Sequence, residues 1–525
     1  MTVDPPTVAL VVREQAQSRA EHPLLVCDAE SLSYAGAERR SAALARGLVA
    51  LGAGKGTHVG LLYPNGPDFV IGTLAAARIG AVVVPFTTFA AARELGEQLA
   101  DADVSILLAS RTYRSHDFAR RLGDALGVEA FDVVQRVFSS AAPQLRHVAF
   151  EQPGVARIGD AVDETLLRAL EDDVDGSDPF AIIYTSGSTG APKGAVHTHA
   201  ALLTHQQNLN AIRGLAAEDR LFCNSPFFWV GGFAFGLLAT LVAGSTLVCS
   251  NAVDAGETLD LIEAQRPTMT NGFAATIARL ARHDSFGRRD LSSMRRGNLY
   301  PMMPPDAQPA DPELRHNMLG MTEAGSTLLI SADESDQPED RRGSYGRPAP
   351  GFETRIVDPG TGEPVTPGAV GELHLRGPLV MQRYHRRSRE ECFDPDGWFH
   401  TGDLVCADLD GFMYFIGRRT SMIKTSGANV SPAEVEKVIA RVTGGTVAHV
   451  VGIPDPDRGE VVAAVIVVDG VTGGPFDENA LRALLGPELS AYKVPRRFVA
   501  LPAAEVPVLP SGKVDLGGLR KVFDD

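Results

Sequence analysis

The most informative stretch of the chain runs from Ala181 to Gly194 and reads AIIYTSGSTGAPKG. An apolar strand leads into a loop that carries four hydroxyl side chains, three glycines and one lysine, Lys193. Glycines let backbone N–H groups approach an oxyanion, hydroxyls donate hydrogen bonds, and lysine adds a positive charge. The spacing fits neither the Walker A pattern nor the G-x-S-x-G elbow of hydrolases. The stretch therefore predicts a loop that binds a polyphosphate, in preference to a flexible Ser/Gly surface loop.

Strand-like and helical segments alternate around this stretch. Helical spacing over Ala35–Leu51 and Phe69–Ile79 alternates with short apolar runs at Val59–Tyr63 and Ala81–Phe86. Such alternation is typical of a mostly parallel sheet with helices on its faces. The pattern returns between residues 180 and 250. Short strands separated by Pro/Gly turns after residue 350 predict a small β-rich subdomain.

The pattern changes again after Gly417, where Arg-Arg-Thr-Ser contains no apolar residue. A compact arrangement follows, with helices expected at Pro432–Val442 and Glu478–Leu485. We therefore predict an α/β protein with three parts. Residues 1–417 form a large N-terminal domain of mixed and parallel sheets with helices, residues 418–421 form a hinge, and residues 422–525 form a small, mobile α+β C-terminal domain.

Composition and charge exclude several classes of function. The 525 residues are 44% apolar and 22% charged, as in ordinary globular proteins, and the net charge is −16. That charge would repel a polynucleotide, so we predict no nucleic-acid partner. The five cysteines form no C-x-x-C pair, and the first residues lack a signal-peptide pattern, which favours the cytoplasm. The uncharged run 221–253 contains several glycines and favours a buried helix over a membrane span.

The segment Tyr184–Gly194 resembles the signature of the adenylate-forming superfamily, which includes acyl-CoA synthetases, peptide-synthetase adenylation domains and beetle luciferases. Further motifs of that superfamily follow in the same order along the chain. They are Gly320-Met321-Thr322-Glu323 (G-x-T-E), Gly343–Pro348 (G-x-x-G-x-P), Trp398–Leu404 (W-x-x-T-G-D), Asp410–Arg418 (D-G through G-R), Pro432–Glu436 and Ser511-Gly512-Lys513. One such motif could arise by chance, but this ordered series identifies the chain as a member of the superfamily, and within it the chain resembles the acyl-CoA synthetase branch.

The resemblance implies a two-step reaction that uses ATP, Mg²⁺ and coenzyme A. A carboxylate attacks the α-phosphate of ATP to give acyl-AMP and pyrophosphate, and a thiol then displaces AMP. Because two anions meet in the first step, cations and N–H donors must neutralise the phosphates. The implied phosphate-binding residues are Thr185, Ser186, Gly187, Ser188, Thr189, Gly190 and Lys193.

The other implied roles also fall on motif residues. Glu323 would ligate Mg²⁺, Thr322 would bind the α-phosphate, and Lys513 would bridge the carboxylate and the α-phosphate. These three are the implied catalytic residues. The implied contacts to adenine and ribose come from Leu319, Gly320, Met321, Asp403 and Arg418.

In this superfamily the small domain rotates after adenylation and presents another face for thioester formation. Lys424 and Gly427 would lie on that face, beside coenzyme A. The hinge position is commonly Asp or Lys, whereas this chain has Ser421. A hinge only has to absorb backbone rotation, so we expect Ser421 to affect the balance of the two states and not the existence of the hinge.

Two further departures concern the adenine pocket. The residue before G-x-T-E is usually aromatic and stacks on adenine, but Leu319 offers only an apolar face. The Gly-Gly or Gly-Glu loop that usually lines the pocket is replaced by Arg296–Pro305. We hypothesise that Tyr300 or Asn298 compensates, and this hypothesis fails if Tyr300→Ala and Asn298→Ala each leave ATP affinity unchanged.

The acyl pocket is expected along Pro226–Phe233, which contains aromatic residues and paired glycines but no Asp or Glu to bind an ammonium group. The residues predicted to line it are Phe228, Trp229, Gly231, Gly232, Phe233 and Tyr300. This composition favours a hydrophobic acid (fatty, cyclic or terpenoid-like, or aromatic) over an amino acid. A purely structural role in the core is the alternative for each aromatic residue.

We therefore predict an ATP-dependent acyl-CoA synthetase for a hydrophobic carboxylic acid. One alternative is an adenylating enzyme that loads the acyl group onto a separate carrier protein. Another is a catalytically impaired relative that binds nucleotide or acyl ligands. The sequence leaves the oligomeric state open between monomer and homodimer.

Overall fold

The computed structural model describes residues 6–185, 192–272, 274–418, 422–468, 476–508 and 514–524. Contacts divide the chain into two compact units. The first comprises residues 1–88, 99–184 and 194–417, and the second comprises 89–98, 185–193 and 418–525. The predicted α/β class is confirmed. The domain limits 1–417 and 422–525 and the hinge 418–421 remain predictions, and Ser421 lies outside the described residues.

The largest sheet has eight strands, and most of its inner pairs are parallel. Their spatial order is Arg383–Tyr384, Lys193–Thr198, Pro179–Thr185, Val82–Pro85, His58–Leu62, Ile106–Ala109, His147–Ala149 and Val134–Arg136. Strands such as Val82–Pro85 and Ile106–Ala109 are buried along their whole length. A strand buried on both faces has a continuous apolar sequence, which explains why these strands are visible in the sequence.

A second sheet has six strands and is parallel except at one edge. Its order is Arg296–Gly297, Met269–Asn271, Arg220–Cys223, Thr246–Cys249, Pro23–Cys27 and Glu30–Ser33. One hydrophobic core joins residues of both large sheets to the helices Tyr34–Ala50 and Pro67–Arg78. Ser33 begins the first of these helices by accepting a hydrogen bond from Gly36 N–H, and Pro67 begins the second.

The remaining sheets of the first unit are small and antiparallel. A three-stranded sheet consists of Leu319–Met321, Ser326–Ile330 and Arg347–Pro348, and a hairpin pairs Thr112–Tyr113 with His116–Asp117. A four-stranded sheet begins within the β-rich region predicted after residue 350. Its strands are Glu353–Val357, Gly371–Arg376, Phe399–Ala407 and Met413–Arg418.

The second unit contains a sheet of five strands with helices Pro432–Val442, Glu478–Leu485 and Leu516–Lys521. Its strands are Ala428–Val430, Ile423–Thr425, Gly459–Val468, Ala448–Asp455 and Arg497–Pro502. The helices Pro432–Val442 and Glu478–Leu485 have the predicted limits because Ser431 and Asp477 accept hydrogen bonds from their first turns.

Ten further α-helices occur along the described chain. They are Val8–Ser18, Ala92–Asp101, Phe118–Leu126, Gln152–Ile158, Glu164–Asp172, His199–Arg213, Val230–Gly232, Ala239–Ala243, Ala255–Gln265 and Ala274–Ala281. A π-helix, Phe233–Leu238, joins Val230–Gly232 to Ala239–Ala243, so the apolar run forms the predicted buried helix. Among the residues with described coordinates, no helix combines the length and apolarity that a membrane crossing needs.

Three histidines of the first unit are buried in or near the strand Lys193–Thr198. His197, His199 and His205 each have no measurable exposure. Burial lowers the pKa of each of them to about 4 from the ordinary value of 6.5. The folded protein therefore holds all three rings neutral near pH 6, where the unfolded chain protonates them in part.

We predict that stability falls as the pH drops below about 6.5, because the unfolded state then binds protons that the folded state does not. A histidine with a lowered folded pKa contributes fully above the unfolded value, and this contribution is lost as the pH falls toward the folded value. Each of the three should cost about 1.4 kcal/mol per pH unit in this window. Thermal unfolding midpoints recorded between about pH 7.5 and about pH 5 measure the slope.

The matched variants are His205→Phe and His449→Gln. His205 packs edge-on against Phe352 with ring centroids 5.1 Å apart, so phenylalanine retains an aromatic contact there. His205→Phe should reduce the pH slope, whereas His449→Gln, at a half-buried position in the second unit, should leave it unchanged. Equal slopes for His205→Phe and the wild-type protein would contradict the assignment.

Candidate active site

Thr322 and Glu323 lie in a tight turn between two antiparallel strands. Leu319–Met321 pairs with Ser326–Ile330, and a single 3₁₀ turn at Thr322–Ala324 connects them. Gly325 ends the turn with φ of 68°, a conformation that favours glycine. The Thr322 and Glu323 side chains are both half-buried at this end of the hairpin.

Three contacts from segments distant in sequence hold this turn. His197 donates from Nε2 to the carbonyl oxygen of Thr322 at 2.7 Å. The backbone N–H of Met381 donates to the carbonyl oxygen of Glu323 at 2.8 Å. The Tyr384 hydroxyl donates to Glu323 Oε1 at 2.6 Å. Both the backbone and the carboxylate of Glu323 are therefore fixed by neighbouring segments.

Tyr384 reaches Glu323 from the edge strand of the eight-stranded sheet. It pairs with Ala195 in the neighbouring strand and packs edge-on against Phe399. Burial and the Glu323 carboxylate raise the pKa of Tyr384 above its ordinary value. The phenol therefore stays protonated and donates to the Glu323 carboxylate.

The predicted phosphate loop joins the strands Pro179–Thr185 and Lys193–Thr198. Thr185 ends the first strand and Lys193 begins the second, and both are half-buried. Just before the loop, the Tyr184 hydroxyl donates to Asp101 Oδ2 at 2.5 Å. The other predicted phosphate contacts, Ser186, Gly187, Ser188, Thr189 and Gly190, lie outside the described residues, so their role stays a prediction.

Asp403 is completely buried in the strand Phe399–Ala407. Its backbone N–H donates to Thr401 Oγ1 at 3.0 Å, and the Thr401 hydroxyl donates to the carbonyl oxygen of Leu373 at 2.7 Å. Gly402 N–H donates to Glu372 Oε1 at 3.0 Å. The Thr-Gly-Asp segment is therefore held against the adjacent strand, Gly371–Arg376, by side-chain contacts.

The predicted adenine contacts have different environments. Leu319 and Met321 are 7% exposed and belong to an apolar core with Leu328 and Leu373, whereas Gly320 between them is exposed. The Asn298 side-chain amide forms two hydrogen bonds with the backbone of Gly272. Its oxygen accepts from the Gly272 N–H at 3.1 Å, and its nitrogen donates to the Gly272 carbonyl oxygen at 2.8 Å. An adenine contact from Asn298 would have to compete with these bonds.

Tyr300 is half-buried in a 3₁₀ turn, Tyr300–Met302, and packs against the core that contains Met294 and Leu299. Burial raises the pKa of Tyr300. Of the two residues proposed to replace the missing aromatic, Tyr300 is thus the one whose ring adjoins an apolar region. Its contact with adenine stays a prediction.

The predicted acyl-pocket residues fall into two groups. Phe233 is fully buried, 5.7 Å from Phe180 between ring centroids, and belongs to the main core. Phe228 and Trp229 meet edge-on at 5.4 Å, and Trp229 is half-buried at the start of a short helix.

The two glycines of this stretch have opposite surroundings. A Cβ atom on Gly232 would lie 2.2 Å from the carbonyl oxygen of Pro226, so no larger residue fits there. A Cβ atom on Gly231 would meet no atom within 4 Å. The chain is thus tightly packed at Gly232 and open at Gly231.

A small pocket, with an accessible volume of about 10 Å³ that is enough for roughly one water molecule, lies at the carboxyl ends of two strands of the six-stranded sheet. Phe222, Ile277, Leu280 and Leu299 supply apolar walls, and the polar lining comes from Asn224, Asn271 and the Gly272 backbone. No ionisable side chain is among these lining residues. Ligand sites in parallel sheets lie at this edge, where the loops that follow the strands meet.

In the second unit, Lys424 is exposed in the strand Ile423–Thr425, and Gly427 has φ of 85° in the following turn. Lys424 N–H donates to Glu460 Oε2 at 2.8 Å. Arg418 ends the strand Met413–Arg418 and is half-buried. Lys513 and Ser421 lie outside the described residues, so the roles implied for them stay predictions.

Sequence reasoning missed His197, Met381, Tyr384 and Glu372. Their contacts with the Thr-Glu and Thr-Gly-Asp motifs join segments that are far apart in the chain. Tyr384 belongs to a strand of only two residues, Arg383–Tyr384, which has no alternating pattern to reveal it. Met381 contributes its backbone N–H, and a backbone contact cannot be predicted from the type of residue.

Comparison with known proteins adds independent information. The family described as AMP-binding enzyme matches residues 12–385, and the AMP-binding enzyme C-terminal domain matches residues 434–513. A feruloyl-CoA synthase from an Amycolatopsis species is 33% identical over 499 residues, which cover 94% of each protein. An indoleacetate–CoA ligase from Aromatoleum aromaticum is 33% identical over 497 residues, covering 94% of this chain and 93% of the relative.

A solved structure supports the same relationship at the level of the fold. An amide bond synthetase from Marinactinospora thermotolerans is 25% identical to this chain and superposes with a TM-score of 0.78. The match covers 99% of this chain and 100% of the other. Similarity therefore extends over nearly the whole length of the chain.

Proposed function

The chain belongs to the AMP-binding enzyme family and is an AMP-forming acid–CoA ligase, and we propose that it activates a hydrophobic carboxylic acid. The observation that carries this proposal is the absence of charged side chains from the candidate acyl region. Residues 221–253 contain no Asp, Glu, Lys or Arg, and the small pocket beside them is lined by apolar and amide groups.

An amino acid substrate would need a partner for its ammonium group, because a buried charge without one is strongly disfavoured. Neither the Pro226–Phe233 stretch nor the lining of the small pocket supplies a carboxylate. The names of two relatives refer to feruloyl and indoleacetate groups, which both carry aromatic rings. These observations favour an aromatic, cyclic or fatty acid as the substrate.

In the first half-reaction, the substrate carboxylate would attack the α-phosphate of ATP, and pyrophosphate would leave. Lys513 would bring a positive charge to the two anions, and Lys193 would bind the leaving phosphates with the loop 185–190. Thr322 would donate a hydrogen bond to the α-phosphate. Asp403 would accept the ribose hydroxyls from its buried position in the strand Phe399–Ala407.

Glu323 suits a hard cation such as Mg²⁺, which takes oxygen ligands and commonly binds one carboxylate together with substrate phosphates. The Tyr384 hydroxyl already orients Oε1, as outer contacts do for metal-binding carboxylates. A bound Mg²⁺ would neutralise negative charge on the phosphates. Tyr384, His197 and Met381 would keep the Glu323 carboxylate in place before ATP arrives.

In the second half-reaction, a thiol would attack the acyl carbon of acyl-AMP and release AMP. Lys424 and Gly427 would face coenzyme A after rotation of the small domain about Ser421. Transfer to a separate carrier protein is the second candidate, because a carrier also presents a phosphopantetheine thiol. The same first half-reaction serves both acceptors.

The proposed substrate class is tested by carboxylate-dependent exchange between ATP and pyrophosphate. The most informative pair of test acids is 3-phenylpropanoate and phenylalanine, because the two differ only by the α-ammonium group. We expect exchange with 3-phenylpropanoate or another apolar acid of a panel, and none with phenylalanine, because no carboxylate compensates the ammonium charge. Coenzyme A and a holo-carrier protein, added in parallel, then identify the thiol acceptor.

Exchange with phenylalanine in preference to its des-amino analogue would contradict a hydrophobic acid substrate. Failure of every acid in the panel would instead favour the catalytically impaired alternative. Thioester formation with the carrier but not with coenzyme A would overturn coenzyme A as the acceptor and leave the adenylation step intact.

Tyr384→Phe should weaken the response to Mg²⁺ because the Glu323 carboxylate loses its 2.6 Å hydrogen bond. Loss of such an outer contact typically lowers metal affinity by about 10- to 100-fold. The measurement is the exchange rate as a function of free Mg²⁺, with the KM of the acid recorded alongside and expected to stay unchanged.

Tyr345→Phe is the matched control, since Tyr345 is half-buried in the same unit and its ring lies beside Phe415. The exchange rate of Tyr345→Phe should depend on free Mg²⁺ in the same way as that of the wild-type protein. If Tyr384→Phe also showed the wild-type Mg²⁺ dependence, Tyr384 would have no positioning role.

Lys513→Ala should abolish most adenylation but leave thioester formation from supplied acyl-AMP intact, because the ammonium group is needed only where two anions meet. The two half-reactions are assayed separately, with Lys521→Ala, in the last helix, as the control. Equal loss of both half-reactions in Lys513→Ala would contradict the division of roles between two states of the small domain.

A further inference from the structure

Two histidines and a glutamate meet on the four-stranded sheet of the first unit, next to the Thr-Gly-Asp segment that Glu372 helps to hold. They are Glu372 and His374 on the strand Gly371–Arg376 and His400 on the strand Phe399–Ala407. His374 and His400 are direct cross-strand neighbours. One potential ligand atom from each of the three residues lies within 4.8 Å of the other two. Within the described ranges, this is the only group of three such side chains at that spacing.

His374 supplies an unsatisfied group at this cluster. The residue is 4% exposed, and its Nε2 atom is buried without a hydrogen-bond partner among the residues described. Its other nitrogen, Nδ1, accepts a long hydrogen bond of 3.3 Å from Arg355 Nε. A buried polar atom without a partner is uncommon in folded proteins and calls for an explanation such as a bound ion or water.

His400 has the surroundings of a metal-binding histidine. Its Nε2 atom lies 3.2 Å from Asp394 Oδ2, and a carboxylate contact of this kind fixes the tautomer and leaves Nδ1 with its lone pair. The side chain is 50% exposed, so the ring can turn and an ion can enter from solvent. The His374 and His400 rings are stacked 3.8 Å apart, which keeps their nitrogen edges close.

Two carboxylates adjoin the imidazole rings. They are Glu372 and Asp394, and Arg355 donates to Asp394 at 2.8 Å. Arg376 also lies over Trp398, but it pairs with Glu353 at 2.5 Å. Carboxylate oxygens therefore stand beside both rings, and they are ligands that a divalent cation can share with imidazole.

We propose that Glu372, His374 and His400 bind a divalent transition-metal ion, with Zn²⁺ as the representative case. Two imidazoles and one carboxylate form a ligand set that Zn²⁺ uses when a fourth position is left for water. Imidazole ligands suit Zn²⁺, Cu²⁺ and Ni²⁺, whereas Mg²⁺ takes oxygen ligands, so this site differs in chemistry from Glu323.

Ion binding at His374 Nε2 requires the proton of the neutral ring to move to Nδ1. The 3.3 Å contact from Arg355 is then lost, while the shorter bond from Arg355 to Asp394 remains. Glu372 can bind an ion and still accept the hydrogen bond from Gly402, because metal-binding carboxylates are themselves hydrogen-bonded. Gly402 precedes Asp403, so an occupied site would adjoin the Thr-Gly-Asp segment.

The experiment uses the full-length wild-type protein without ATP or coenzyme A. Zn²⁺ binding is measured by titration calorimetry and Co²⁺ binding by its visible absorption, so neither readout depends on ligase activity. We expect one equivalent of bound ion and a Co²⁺ spectrum typical of tetrahedral coordination. The spectrum should lack a thiolate-to-metal charge-transfer band, and that result would exclude the five cysteines as ligands.

His400→Gln and Glu372→Gln should each lower Zn²⁺ affinity by at least about tenfold. His400 is half exposed, and glutamine at 372 can still accept from Gly402, so both variants should fold, and circular dichroism checks this. His449→Gln, in the second unit, is the control and should bind as the wild-type protein does.

Three results would overturn the proposal. These are no stoichiometric Zn²⁺ or Co²⁺ binding by the wild-type protein, unchanged affinity in folded His400→Gln and Glu372→Gln, and a Co²⁺ spectrum dominated by thiolate charge transfer.

Discussion

The hydrogen bond from Tyr384 to Glu323 is the contact on which the candidate active site depends most. It joins the edge of the eight-stranded sheet to the hairpin that carries the Thr-Glu turn. A carboxylate on a short turn would otherwise sample several rotamers, and each would place a bound cation differently. Burial of the phenol keeps it protonated, so the bond persists at neutral pH. The backbone contacts from His197 and Met381 fix the same turn from other directions.

The same arrangement recurs at the Thr-Gly-Asp segment. Asp403 is buried, yet the residues before it are anchored through Thr401 and Gly402 to the neighbouring strand. In both places a polar functional group stands at the end of an apolar core, and neighbouring strands supply its hydrogen bonds. Polar groups that lose water need such partners, so the supporting residues are as much part of the site as the motif residues.

Most of the architecture was predictable because its elements have local causes. The helix Pro432–Val442 has the expected limits since Ser431 caps it and Pro432 begins it. The helix expected at Ala35–Leu51 is shifted by one residue, because Ser33 caps the chain at Tyr34. The strand Arg383–Tyr384 was not predicted, since two residues on a sheet edge carry no periodic pattern. Its existence depends on pairing with Lys193–Thr198.

The sequence by itself determined the α/β class and the family, because parallel strands, helix caps and the ordered family motifs are built from short contiguous segments. The tertiary structure alone decided which residues support them. His197, Met381 and Tyr384 reach the Thr-Glu turn, and Glu372, His374 and His400 meet across two strands, only after the strands pair. Such contacts join segments distant in the chain, and they arise from packing and register, which no local pattern encodes.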